Sequence, residues 1–176
     1  MSLGLICIVI GVQVCFLHYG RDLPSSSQII NYQPSTITRV FNADGEIIDS
    51  FYRERRVFVP IREIPLTVKQ AFISAEDKNF YSHKGYDAVG LLKAFYDAFS
   101  GKRLRGASTI TQQVMKNFLL SGERTVSRKI KEILLALRLE KNLSKDKILE
   151  VYLNEIYLGQ GAYGIGKASQ IYFGKP

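Results

Sequence analysis

Residues 106–117 read GASTITQQVMKN and combine a helical apolar pattern with a high density of polar side chains. Ile110 and Val114 recur at the spacing of one helix face, while Thr109 and Gln112 have the spacing of a capping box. A solvated helix face more typically carries Glu and Lys pairs four residues apart, and this stretch has none. The pattern therefore predicts a helix whose polar side chains serve a purpose other than solubility.

The same stretch suits an anionic ligand. Gly106 precedes the predicted helix, and the free amides at the start of a helix can bind an anion. Lys116 and Asn117 follow within three turns, and a lysine there would supply a compact positive charge for a diphosphate. A site for a phosphorylated sugar is therefore the first hypothesis for this helix.

A second informative block, residues 76–85, reads EDKNFYSHKG and follows a predicted helix that begins near Pro65. Glu76 falls at the end of that helix, beside a loop with aromatic and polar side chains. A carboxylate held beside a hydroxyl group can act as a general base, and a surface acid at a helix terminus is the alternative. We interpret His83 as a structural hydrogen-bonding residue.

The remaining pattern is mostly helical. A hairpin that closes at Asp44-Gly45 is predicted within residues 38–60, because Asp-Gly is a favoured turn between apolar runs. A 3.6-residue apolar stripe predicts a helix over 125–141, with Val126 at the start of its apolar face. A further helix is predicted over 144–157, opened by a serine. The sequence thus indicates a mainly α fold with a small N-terminal β-hairpin.

Glu132 lies within the predicted helix over 125–141, four residues after Arg128. An ion pair on a solvated helix, contributing about 0.3–0.5 kcal/mol, would explain this spacing without any function. With Glu76, however, Glu132 gives the chain two carboxylates and several cations, which is what glycosyl transfer from a diphosphate requires. The residues alone leave both interpretations open.

The charge of the chain also favours an anionic partner. The 176 residues carry a formal net charge of +8, which suits nucleic acid, anionic lipid or a phosphorylated substrate, and a solvated basic surface is the alternative. No nucleic acid is expected, because the basic residues form no long runs and no zinc-finger or RNA-recognition signature occurs. Residues 159–164 read GQGAYG and match GxGxxG, but a predicted helix precedes them and the chain ends before the required acidic residue, so no nucleotide is expected.

The N-terminal stretch is almost wholly apolar from residue 3 to residue 17. We expect a transmembrane signal-anchor helix; the alternatives are a cleaved signal peptide, which here lacks a positive n-region, and a buried core helix. The predicted division is an anchor over 1–19, a linker over 20–37, a β-hairpin region over 38–60 and a C-terminally truncated globular domain over 61–176.

Five ordered motifs together resemble the peptidoglycan glycosyltransferase domain of class A penicillin-binding proteins and of their monofunctional relatives. The resemblance covers roughly residues 38–176. The motifs are EDxxFxxHxG at 76–85, GASTITQQxxKN at 106–117, RKxxE at 128–132, KxxILExYLN at 145–154, and GAYGI at 161–165 running on to YFGK at 172–175.

The resemblance implies a lysozyme-like fold anchored in the bacterial inner membrane, with the catalytic domain in the periplasm or outside the cell. The implied substrate is lipid II, an undecaprenyl-diphosphate disaccharide-pentapeptide. The implied reaction polymerises it into β-1,4-linked glycan with inversion at the anomeric carbon and release of undecaprenyl diphosphate. The growing glycan strand, membrane lipid and other cell-wall synthesis or division proteins are the implied partners.

The resemblance also implies roles for individual residues. Glu76 would be the general base that activates the acceptor 4-hydroxyl, and Glu132 would assist departure of the diphosphate through a divalent cation, Mg²⁺ or Mn²⁺. Lys116 and Arg124 match positions that contact the donor diphosphate. Positions that line the cleft are matched by Ser108, Gln112, Gln113, Lys93 and Lys131. Positions that hold the motifs in shape are matched by Asp77, Phe80, His83 and Asn117.

The apolar segment 90–99 has Lys93 within it and basic residues at 102–105 after it. In the family this region is mobile and dips into the membrane, and the cations would suit anionic headgroups. An amphipathic core helix is the alternative.

Two other functions stay open. A lytic enzyme on the same fold would cleave glycan, but it has no evident use for the diphosphate set of Lys116 and Arg124. A membrane module could instead bind lipid II or a division protein without turnover. The chain stops just after an aromatic pair, so we expect a piece of a longer protein, and such a piece could be inactive by itself.

Overall fold

The structure is a computed structural model that describes residues 17–20, 23, 38–51, 56–90, 96, 100, 108–119 and 125–175. Within these residues, two strands, β1 (Thr38–Phe41) and β2 (Ile47–Phe51), precede the named helices. The helices are α1 (Leu66–Glu76), α2 (Ile110–Leu119), α3 (Val126–Glu140), α4 (Lys145–Glu155) and α5 (Ile165–Phe173). The mainly α architecture with a small hairpin, predicted from the sequence, is confirmed for the described part of the chain.

The hairpin is antiparallel, and its register pairs Thr38 with Phe51. Gly45 lies in the turn with φ +82°, a conformation that glycine adopts without steric cost. The side-chain oxygen of Asn42 accepts hydrogen bonds from the backbone N–H groups of Asp44 (3.0 Å) and Glu46 (2.8 Å). The turn therefore lies at the predicted Asp-Gly step, and the hydrogen bonds to Asn42 stabilise it.

The core is built around α4. Its consecutive residues 148–154 are all buried, because α2 and the chain before α1 cover it on different sides. Ile110, Val114 and Met115 of α2 contribute the facing apolar side chains. The predicted apolar face of α2 is thus buried at Ile110 and Val114.

The predicted apolar face of α3 is wrong in the first turn, where Val126 is 79% exposed. The buried residues begin at Glu132 and include Leu135 and Leu139 further along. Periodicity shows that a helix has an apolar face, but the packing partner determines how much of that face is covered. The helix predicted to reach residue 157 instead ends at Glu155.

An extended arm, residues 56–60, lies against α4 and leads into α1. Asn154 clamps this arm: its Oδ1 accepts a hydrogen bond from the Val59 N–H (2.8 Å), and its Nδ2 donates to the Val59 carbonyl (2.9 Å). Close behind, Gly164 has φ +77°, and a Cβ atom there would lie 2.5 Å from the Asn154 carbonyl oxygen. The glycine is required by this close approach.

Most of the predicted anchor over 1–19 and of the linker over 20–37 lies outside the described residues, as does most of segment 90–99. Among the residues that the structure does describe, no helix combines the length and apolarity needed to cross a membrane. The anchor and the membrane-dipping segment stay predictions.

Candidate active site

Glu76 is the last residue of α1, and its side chain is exposed to solvent. The helix ends here because Asp77 adopts an extended backbone with φ −157°. One Glu76 oxygen, Oε2, accepts a 2.8 Å hydrogen bond from Nε2 of Gln113 on α2. The carboxylate is therefore both accessible and oriented.

Asp77 points into the protein, away from solvent. Its Oδ2 accepts hydrogen bonds from the N–H of Ile110, the first residue of α2 (3.0 Å), and from Nε2 of His83 (2.9 Å). The other ring nitrogen of His83 accepts from the Gly85 N–H (3.2 Å), which leaves the proton on Nε2, facing Asp77. A carboxylate at the positive end of α2 is also favoured by the helix dipole. Asp77 thus joins the 76–85 loop to the start of α2.

The Gly85 carbonyl is a second junction between the loop and α2. It accepts hydrogen bonds from Oγ1 of Thr109 (3.0 Å) and from Nε2 of Gln112 (3.2 Å). Thr109 Oγ1 also accepts from the Gln112 N–H (3.2 Å), as a capping threonine does. The Gln112 side chain, however, bonds to the loop and not back to Thr109, so only half of the predicted capping box forms.

Lys129 of α3 is the centre of a polar cluster between α2 and α3. Its Nζ atom donates to Oγ of Ser108 (2.7 Å), Oε1 of Gln112 (2.9 Å) and Oε2 of Glu132 (3.0 Å). Arg128 Nε lies 3.3 Å from the other Glu132 oxygen. Glu132 itself is only 3% exposed, so it is not part of an ion pair on a solvated helix face. We call Lys129, Ser108, Gln112 and Glu132 the cation cradle.

Lys145 of α4 stabilises the 76–85 loop through contacts with Glu140 and Phe80. Lys145 Nζ donates to Oε1 of Glu140 (2.7 Å) and lies 4.5 Å from the centre of the Phe80 ring, a cation–π distance. The hydroxyl of Thr111 on α2 donates to the same Glu140 oxygen. Phe80 is fully buried, and its contacts fix the loop that follows Glu76.

The structure thus brings five predicted site residues, Glu76, Ser108, Gln112, Gln113 and Glu132, to α2 and its two flanks. Lys116 is exposed one turn beyond Gln112, with no ion pair to another described residue. Asn117 is exposed beside it, and Lys131 is half-buried on α3. Lys93 and Arg124 lie outside the described residues.

Sequence reasoning overlooked Lys129 as a site residue. It was visible as the lysine of the RKxxE motif and as one of several cations near Glu132, but it was given no role. Its position three residues before Glu132 is a common helix-surface spacing. Its bonds to Ser108 and Gln112 join positions 21 and 17 residues apart. No local pattern encodes those contacts.

The side chains around Glu132 do not fit the expected divalent cation. Mg²⁺ and Mn²⁺ prefer several oxygen ligands, whereas both Glu132 oxygens already face cationic nitrogens. In the part of the chain that the structure describes, no three His, Cys, Asp or Glu side chains converge as metal ligands.

Comparison with known proteins shows the family. Residues 44–176 match the family model described as Transglycosylase, so the chain belongs to the transglycosylase family. Among its relatives is penicillin-binding protein 1A of Escherichia coli (strain K12), 45% identical over 179 aligned positions that cover 99% of this chain and 21% of that protein.

Penicillin-binding protein 1A of Neisseria gonorrhoeae is 51% identical over 165 positions, covering 93% of this chain and 21% of that protein. That of Rickettsia conorii is 48% identical over 162 positions, covering 90% and 20%. The chain spans about a fifth of the length of the curated relatives it matches. The predicted family, the glycosyltransferase domain of class A penicillin-binding proteins, is confirmed.

Proposed function

We propose that this chain is the peptidoglycan glycosyltransferase part of a class A penicillin-binding protein. It polymerises lipid II into β-1,4-linked glycan and releases undecaprenyl diphosphate on the outer face of the bacterial inner membrane. The observation that carries the proposal is that neighbouring glutamines of α2 connect to two acids in opposite surroundings, Gln113 directly and Gln112 through Lys129. Gln113 bonds to the exposed Glu76, and Gln112 joins the cradle that contains the buried Glu132.

The acceptor reacts at Glu76. A general base must reach the proton that it removes, and this exposed carboxylate at a helix end is open to a sugar hydroxyl. The proton of the acceptor 4-hydroxyl passes to Glu76, and the hydroxyl oxygen attacks the anomeric carbon of the donor. The bond from that carbon to the diphosphate breaks on the opposite face. A single displacement of this kind inverts the anomeric centre.

The donor leaves on the side of the cation cradle. Negative charge grows on the diphosphate oxygen as the bond breaks, and preorganised cations stabilise such charge most effectively. Lys129 is held in place by three oxygen acceptors, which take up its three N–H donors, so it acts on a phosphate through its positive charge. Its side chain is 39% exposed, so a phosphate can approach it. Lys116 adds a second exposed cation, and the resemblance adds Arg124.

Glu132 acts in this scheme through the cations it holds. Its two oxygens face Lys129 and Arg128, which fixes both positive groups at the donor side. No step is routed through a divalent cation, because the ligands around Glu132 do not suit one. The metal expected from the resemblance stays a prediction.

The test is glycan formation from labelled lipid II by the membrane-embedded protein, with moenomycin as the inhibitor control. Glu76→Gln should lower the polymerisation rate by about 10²–10⁴-fold, the usual contribution of a general base. The matched control is Glu63→Gln, which alters an exposed acid outside the site. Bound lipid II without polymer would favour a binding module, and shortening of preformed glycan would favour a lytic enzyme.

A further inference from the structure

Tyr152 of α4 carries a buried hydroxyl that the mechanism above does not use. The residue is 1% exposed, and its Oη atom has no hydrogen-bond partner among the described residues. A buried polar atom without a partner destabilises a fold, and phenylalanine would fill the same space without that cost. The presence of tyrosine at this position, where phenylalanine would fit, therefore indicates that the hydroxyl group has a function.

The ring of Tyr152 packs against α1, the helix that ends at Glu76. It packs edge-to-face on Phe72, with the ring centres 6.2 Å apart and the planes at 79°. Phe72 and Glu76 are four residues apart on α1, so they share one face of the helix. The packing thus brings the tyrosine to the same side of α1 as the acid.

The electrostatics of Tyr152 agree with this position. Burial, and next the negative charge of Glu76, raise the pKa of the Tyr152 hydroxyl above its usual range. The group is consequently a neutral hydrogen-bond donor throughout the physiological pH range. Its environment contains a carboxylate but no described acceptor within hydrogen-bonding distance of Oη.

Other polar groups near Glu76 already have assigned roles. Asp77 bonds to the start of α2 and to His83, and Glu150 of α4 accepts from the N–H of Ile61. On α2, Gln113 donates to Glu76 and Lys116 is exposed one turn later; on α3, Lys129 and Glu132 belong to the cradle. Tyr152 is the buried donor on α4 whose proton has no assigned acceptor.

We propose that Tyr152 is a positioning residue for Glu76, and that its hydroxyl donates to the Glu76 carboxylate through one ordered water. Gln113 and this water then hold the carboxylate from two directions, so that one oxygen is aimed at the acceptor hydroxyl. A donor of this kind also favours the charged form of the acid. The role in catalysis rests on the proposed function, whereas the hydrogen bond itself does not.

Tyr152→Phe tests the bond, because it removes one oxygen and keeps the ring on Phe72. We expect the acid limb of the polymerisation rate to move to higher pH by about one pH unit, as the loss of a hydrogen bond to a charged group implies. We expect kcat to fall about 10-fold and KM to change little. Resistance to urea should change little, because the loss of a water-mediated hydrogen bond is offset by the removal of a buried polar group.

Tyr172→Phe is the matched control. It removes a hydroxyl that already has a partner, the Leu158 carbonyl, to which it donates at 2.8 Å. This variant should keep the wild-type acid limb of the rate and the wild-type kcat. The two tyrosine variants are therefore expected to differ in the pH dependence and the kcat of polymerisation.

The ¹³C carboxyl signal of Glu76, assigned with Glu76→Gln, gives a readout that does not need turnover. Its pH midpoint should rise in Tyr152→Phe, and it should fall when 3-fluorotyrosine, a more acidic donor, is placed at position 152. An unchanged midpoint in both proteins would overturn the inference. Absence of polymer from the wild type would instead count against the proposed function and leave the carboxyl titration to decide on Tyr152.

Discussion

Replacement of Lys129 by methionine is the most direct test of the cation cradle. Methionine keeps most of the length and apolar volume of the lysine side chain but removes its charge and its three donated hydrogen bonds. The change leaves Glu132 buried, with Arg128 as the remaining facing cation. We expect both the free energy of unfolding and the polymerisation rate to fall, and the contact distances allow the size of each effect to be estimated.

The effect on stability follows from the contact between Lys129 Nζ and Glu132 Oε2. At 3.0 Å and an effective dielectric constant of about 20, Coulomb's law gives an attraction of about 5.5 kcal/mol. Lysine desolvation and solvent screening reduce this value, because the Lys129 side chain is 39% exposed. Since Arg128 continues to face the acid, we expect the free energy of unfolding to fall by about 1–2 kcal/mol.

The effect on activity should be larger. Loss of one preorganised positive group beside a developing negative charge typically lowers kcat by about 10²–10³-fold. Lys129→Arg should give an intermediate rate, because the planar guanidinium keeps the charge but cannot direct three donors in the way an ammonium does. Lys141→Met is the control: it removes an exposed charge from the C-terminal end of the same helix and should change stability by less than about 0.5 kcal/mol.

The measurements are urea unfolding followed by circular dichroism and polymerisation of labelled lipid II. A Lys129→Met protein with wild-type stability and rate would refute the reasoning, since the lysine would then be an ordinary surface cation. If Lys129→Met lost stability but kept the full polymerisation rate, Lys129 would have a structural role only. The proposed role of Lys129 at the donor diphosphate would then be wrong.

Three further predictions concern the frame around the site. Asn154→Ala removes both hydrogen bonds that join Asn154 to the extended arm, so it should lower the free energy of unfolding in urea titrations by about 2–4 kcal/mol. The control is Asn142→Ala, at an exposed asparagine, which should lower it by less than half of that amount. Gly164→Ala meets the carbonyl 2.5 Å away and should cost more than Gly161→Ala, where φ is +71° but the space is open; equal thermal shifts would contradict this. Hydrogen bonding, chiefly from the Gly90 N–H, lowers the pKa of Asp87, so its contribution to stability is present at neutral pH and is lost as the pH falls below about 4. Asp87→Asn should flatten the acid limb of the stability curve, and an unchanged limb would argue against it.

Local patterns in the sequence were enough to predict the positions of the helices and of the hairpin. The capping residues Thr125 and Ser144 accept hydrogen bonds at the starts of α3 and α4, and Asp44-Gly45 forms the predicted turn. The extent of burial was not predictable in this way. Val126 belongs to the apolar period of α3 but is exposed, because covering side chains come from elements that are distant in sequence.

The candidate site likewise has a part that the sequence predicts and a part that only the structure shows. The order of the five motifs identified Glu76 and Glu132 as candidates, since the resemblance supplies their positions. The sequence did not indicate that Gln112 is buried and bonded to both a loop carbonyl and a lysine, or that Lys129 joins α2 to α3. Hydrogen bonds of this kind are set by tertiary approach, which helical spacing does not describe.

The hydrogen bond from the Ile110 N–H to the Asp77 carboxylate spans 33 positions of the chain and less than a helix diameter of space. It fixes the start of α2 to the end of α1 directly, so the separation of base and cradle does not depend on the segment that connects them. Insertions or deletions between residues 90 and 106 should consequently be tolerated with little change at Glu76 and at the cation cradle. Residues 77–85 and 108–109 are excepted, because their hydrogen bonds build the two junctions with α2 and the cation cradle. Variation in this family is expected to accumulate between residues 90 and 106, outside the predicted cleft residue Lys93, where it can adapt the protein to different envelopes.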